Sequence, residues 1–118
     1  MDNSVQEISA FGQAHAAWSA LSAHLERRSR DLAHEVRNYP TPIARCDEQL
    51  TRLIEQRTQA GDALRRLLDA GRPDGGKRDW RAALSAFLSG PPAAPDDETE
   101  RRLRAWLLDA LTDAARKP

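Results

Sequence analysis

Cysteine is almost absent from this chain. Cys46 is the only one, which excludes an internal disulfide and fits a reducing, cytoplasmic setting. β-Branched aliphatics are scarce too: valine and isoleucine together number five, against twenty alanines and fourteen leucines, a ratio that favours helix and argues against sheet. Charge of one sign is not in excess. Eighteen basic residues balance eighteen acidic ones, and no third of the chain forms a basic arm or an acidic tail, so no net field holds a polyanion or an anionic membrane. No apolar run approaches 18 residues, so no membrane span is expected, and residues 1–17 lack the basic and apolar regions of a signal peptide. Phosphate-cradling glycine loops of the GxGxxG or GxxxxGK[ST] kind are missing, as is a GxSxG nucleophile turn.

What is present is helical punctuation. The sharpest break is Asn38-Tyr39-Pro40-Thr41-Pro42. A residue before proline is pushed out of the α region, so a first helix should end near Asn38. Thr41 is a good N-cap and Pro42 a favoured first helical residue, so a second helix should begin there. Before the break, Phe11, Ala14, Trp18, Leu21, Leu25, Leu32, Val36 and Tyr39 recur at helical spacing, with Asn3 or Ser4 as a possible cap and Gly12 as this helix's interior glycine. After it, Ile43, Leu50, Arg57 and Leu64 form one heptad row, and Cys46, Leu53, Ala60 and Leu67 its companion. Gly71 followed by Pro73 should close this helix as a glycine cap. Folding back about Pro40 would set Trp18 against Leu64, Leu25 against Arg57, Leu32 against Leu50, and Tyr39 against Ile43.

Asp74-Gly75-Gly76 reads as a flexible joint. A short helix from Asp79 to Ser89 follows, with Trp80, Ala83, Leu84, Phe87 and Leu88 on one face. Gly90-Pro91-Pro92-Ala93-Ala94-Pro95 is a stiff connector. Asp96 or Asp97 then caps a last helix, whose acidic first turns and terminal Arg116 and Lys117 suit the helix dipole. Its buried stripe should be Leu103, Trp106, Leu107, Ala110, Leu111 and Ala114.

The expected architecture is all-α and four-helix bundle-like. A long antiparallel coiled-coil hairpin (about 4–38 and 42–70) is joined through residues 73–78 to a shorter C-terminal pair (about 79–89 and 97–116), all within one domain over 1–118. Residues 1–72 make the hairpin unit and 79–118 the C-terminal unit. Two helices alone do not bury both sides of such a seam, so a homodimer or higher homo-oligomer, or another helical protein as partner, is expected.

The chemistry-bearing residues are few. His15, His24 and His34 lie nine and ten residues apart and make no i, i+4 metal pair; Asp31, His34 and Glu35 share a turn and read as a solvated flank. Cys46, near a helix start, is either a small core residue or a thiolate nucleophile, and core is the ordinary role. Arg57 interrupts the leucine seam, with Arg28 expected near it and Ser29 an alternative for the inward position. Arg27-Arg28-Arg30, Arg65-Arg66 and Arg101-Arg102-Arg104 are each flanked by acidic residues, the pattern of salt-bridged helix surfaces. Arginine exceeds lysine sixteen to two, as GC-rich bacterial coding would produce.

No catalytic residue, metal or cofactor is expected. The function read from these features is a non-catalytic helical interaction, adaptor or oligomeric structural protein acting through its seam. The alternative is a nucleic-acid-binding regulator using the arginine-rich faces. Candidate interface residues are Phe11, Trp18, Leu25, Arg57, Leu64, Trp80 and Trp106, with a candidate interaction tip at Tyr39, Arg45, Cys46 and Asp47.

Overall fold

The structure, a computed structural model, describes residues 3–39, 47–72 and 79–116, with side chains over 12–39, 48–72 and 79–113. The expected caps at Asn3, Ser4 and Thr41, the Pro42 start, the 73–78 joint and the basic C-terminus at Arg116 and Lys117 lie outside the described residues or side chains.

Four helices are present among the described residues: α1 (Asn3–Arg37), α2 (Asp47–Gly71), α3 (Trp80–Ser89) and α4 (Glu98–Arg116). The fold is all-α, and its helices pack as a four-helix arrangement. α1 lies between α2 and α4, while α3 bridges α2 and α4 without touching α1. None of the described helices is long and apolar enough to cross a membrane. The molecule is 66 Å long with a radius of gyration of 17.5 Å. A compact chain of this length would have roughly 13 Å, so the fold is drawn out along the hairpin.

The core lies where all four helices overlap. α1 contributes Ala14, Ala17, Leu21 and Leu25, and α2 contributes Ala63, Leu67 and Ala70. α3 inserts Leu84, and α4 adds Leu107, Ala110 and Leu111. Alanine at five of these eleven positions lets the helices approach closely around the six leucines. Trp18, Leu64, Trp80, Ala83, Phe87, Leu88 and Leu103 seal its edges.

The register of the hairpin differs from the one expected. The Trp18 indole Nε1–H donates to the Leu67 carbonyl at 2.9 Å and lies against Gly71, one to two turns beyond Leu64. Ser29 lies opposite Gly61, and the Tyr39 hydroxyl donates to Gln49 Oε1 at 2.9 Å. The α2 partner of each of these α1 residues therefore lies several positions further toward the C-terminus than expected. Gly71 also serves differently from a left-handed cap. It is the last residue of α2, its φ lies outside the left-handed region, and any Cβ there would overlap the indole of Trp18.

Polar groups finish the C-terminal pair. Asp79 caps α3, accepting from Arg81 N at 3.1 Å and Ala82 N at 3.3 Å. Asp97 rather than Asp96 caps α4, its Oδ1 accepting from Glu100 N at 3.1 Å. The proline-rich connector contains only three backbone N–H groups, because proline has none. Gly90 donates to Phe87 O at 3.2 Å, while Ala93 and Ala94 donate to the two carboxylate oxygens of Glu100 at 2.8 and 2.9 Å. Glu100 is completely buried. Arg104, one turn on, donates to the carbonyls of Leu88 and Gly90 at 3.2 and 2.8 Å, and stacks over Phe87 at 5.2 Å. The pair ties the connector down from both its donor and its acceptor side.

Candidate interaction surface

α2 carries two apolar rows. Leu53, Ala60 and Leu67 face inward, and the last two are buried. Leu50, Ile54, Arg57, Gly61, Leu64 and Leu68 recur at alternating steps of four and three, the spacing of a second helix-packing stripe. None of these six is buried. Ile54 is 39% and Leu68 40% exposed, and with Trp106 and Leu108 they are the large apolar side chains most open to water among the described residues. α3 and α4 do not cover this row. α4 begins where Asp97 meets His24, and α1 continues about 20 Å further to Arg37 at 1.5 Å per residue.

The boundary at His24 is a polar cluster. His24 Nε2 and Asp97 Oδ2 are 2.7 Å apart, and Arg28 Nη1 stands 4.0 Å from the same oxygen. Burial would raise the Asp97 pKa, but the His24 hydrogen bond, the Glu100 N–H and the charges of His24 and Arg28 outweigh it and hold the carboxyl below its ordinary value. An open cleft of about 610 Å³ lies beside this pair, lined by His24, Arg27, Arg28, Asp31, Glu35 and Asp96 among others. Among the described residues no group of three or more histidine, cysteine or acidic side chains is placed to hold a metal ion. Arg104, in contrast, has its pKa lowered by burial, with Glu100 countering and Arg66 adding to the shift.

The expected interface residues are dispersed. Leu25 is fully buried in the chain's own core and offers nothing to a partner. Trp18, Leu64 and Trp80 are half-buried at the core edge, and Trp106 is exposed rather than part of the α4 stripe, its indole N–H donating to Gln13 Oε1 at 3.1 Å. It sits about 100° around α4 from Leu107, on the flank toward α1. Arg57 lies on the open row, while Arg28 turns away to α4, so the expected Arg28–Arg57 layer does not form. The side chain of Phe11, all of Arg45 and Cys46, and the side chain of Asp47 lie outside the described residues. Tyr39 remains at the tip, beside a shallow 240 Å³ cleft with Gln49, Arg52, Leu53 and Gln56.

Sequence reasoning overlooked the row through Ile54, Gly61 and Leu68, because the two heptad rows seven apart account for α2 without it. The 54–61–68 spacing was the available signal. It also assigned His24 no partner and missed the burial of Glu100, although Asp97-x-x-Glu100 has the spacing of a capping box. Set beside protein-family models, curated proteins and solved structures, the chain matches none.

Proposed function

We propose that this chain is a non-catalytic helical interaction module, which works by burying the open row of α2 against a helix of another chain. The observation that carries the reading is the pair Ile54 and Leu68, each about two-fifths exposed on one stripe with Leu50 and Leu64. Helix-in-groove recognition uses anchors at this spacing. A reducing bacterial cytoplasm suits the single cysteine and the arginine-rich composition.

The arginines support this reading over nucleic-acid binding. Arg30 pairs with Glu26, Arg65 with Asp62, and both Arg101 and Arg102 with Glu98, while Arg104 is committed to the connector. A polyanion would have to displace those carboxylates. A photo-crosslinking residue placed at Ile54 or Leu68 is expected to form protein adducts in the cells that make the chain, and one at exposed Ala105 is not. Equal labelling from all three positions, or none from the α2 row, would overturn the proposal.

A further inference from the structure

Two features of the open row have no cause among the described residues. Gly61 stands in the middle of α2, where glycine costs about 1 kcal/mol relative to alanine. Yet a Cβ there would meet nothing nearer than Ser29 Oγ at 3.9 Å, an ordinary contact. Arg57 interrupts the apolar row and has no hydrogen-bond or ion-pair partner among the described residues. A glycine whose Cβ the described fold would accommodate, one turn from a cation with no partner among the described residues, is the motif to be accounted for.

We propose that the occupant is a second copy of this chain, with α2 packed antiparallel on α2 about a twofold axis between positions 57 and 61. The proposal rests on the interaction reading above and names its partner. The row is self-complementary in size. Antiparallel pairing that sets Arg57 opposite Gly61 also sets Leu50 opposite Leu68 and Ile54 opposite Leu64. The longest side chain meets the position that has none, twice, and apolar meets apolar in every other layer. A twofold interface requires this self-complementarity, and glycine permits the close backbone approach.

Charge selects the same arrangement. Arg57 of one copy, lying over Gly61 of the other, arrives beside that copy's Ser29 and one turn from its Glu26. The Glu26 side chain is 59% exposed and is held by its own Arg30 only at 3.7 Å. Parallel pairing would set Arg57 against Arg57 and leave a hole at Gly61.

The test is a cysteine pair, Ile54→Cys with Leu64→Cys, in a Cys46→Ser background. Within one helix these positions are about 15 Å apart, beyond the ~7 Å Cα separation that a disulfide spans. Oxidation of the purified protein is therefore expected to give a disulfide-linked dimer, with Ile54→Cys alone giving none. Light scattering should find twice the 13.2 kDa chain mass. Gly61→Met, whose Cβ would make only an ordinary contact with Ser29, should return the protein to monomer with its helical circular dichroism intact. Ready cross-linking of Ile54→Cys to itself, or a wild-type monomer at high micromolar concentration, overturns the antiparallel dimer. A monomer whose α2 row still labels a different protein in cells overturns the second copy as occupant while leaving the interaction reading standing.

Discussion

The indole of Trp18 fills the space that a side chain at Gly71 would need, and its Nε1–H is spent on the Leu67 carbonyl one turn earlier in α2. Gly71→Ala should therefore destabilise the protein by about 1–3 kcal/mol through overpacking, although alanine is the better helix former by about 1 kcal/mol. Gly12→Ala is the control. A methyl group at Gly12 would meet no heavy atom within 4 Å, and the residue lies exposed in α1, so the same change there should stabilise by up to about 1 kcal/mol. Urea midpoints of the two variants should move in opposite directions. Adding Trp18→Leu to Gly71→Ala should recover part of the loss, which a double-mutant cycle reads as coupling.

Glu100 should be among the costliest surface-loop anchors to remove. Its carboxylate satisfies both Ala93 N–H and Ala94 N–H from a fully buried position and stands 3.9 Å from Arg104. Glu100→Ala leaves two partly buried donors and a partly buried cation without their acceptor, a loss of about 2–4 kcal/mol. Glu100→Gln keeps one carbonyl acceptor and should cost less. Hydrogen exchange at Ala93 and Ala94 checks the assignment: both amides should be protected in the wild type and exposed in Glu100→Ala.

These two relationships show where the sequence was legible. The helices, their order and a cap for α4 at Asp96 or Asp97 follow from periodicity and local cap chemistry, which act within four residues, whereas Asp79, expected as the first residue of α3, is its cap. The Trp18–Gly71 contact and the slide of Tyr39 onto Gln49 depend on how the chain crosses between α1 and α2, and no local pattern states that length. Glu100 looked like one more acid in a helix first turn. Only the absence of N–H groups in the neighbouring prolines makes its two acceptor bonds part of the fold. The exposed row of α2 stayed hidden for a different reason: a helix with two apolar rows looks the same in sequence whichever row the fold consumes.

The lowered Asp97 pKa makes stability depend on acid. Because the folded-state pKa lies below the unfolded one, ionised Asp97 contributes stability above the ordinary carboxylate value near 4, and this contribution is lost as pH falls through the folded value. Asp97→Asn keeps a good N-cap while removing the charge that meets His24 and Arg28. It should cost about 1 kcal/mol at neutral pH, and the difference from wild type should close in strong acid. Thermal midpoints measured from pH 7 down to pH 2 should converge; curves that stay parallel would contradict the assignment.

Ser22 is buried, and its hydroxyl has no hydrogen-bond partner among the described residues. Removing an unsatisfied buried hydroxyl should return part of its desolvation cost, and alanine is also the better helix former. Ser22→Ala is expected to stabilise by about 1 kcal/mol, read as a higher urea midpoint with an unchanged slope.

Leu67 and Leu68 are adjacent in sequence and lie on different faces of α2. Leu67 is completely buried in the core, and Leu68 is 40% exposed on the open row. Leu67→Ala removes core volume and should cost about 2–5 kcal/mol. Leu68→Ala should cost the monomer fold less, about 1 kcal/mol, since two-fifths of its surface already lies in water. Its effect should appear instead as a weaker concentration dependence of the thermal midpoint, because association stabilises only the folded partner-bound form. The decisive comparison is made at low and high protein concentration. Leu67→Ala should lower the midpoint at both, and Leu68→Ala should lower it chiefly where the wild-type protein is associated. If both substitutions acted equally at every concentration, the two rows of α2 would be one core, and the open face would have no separate role.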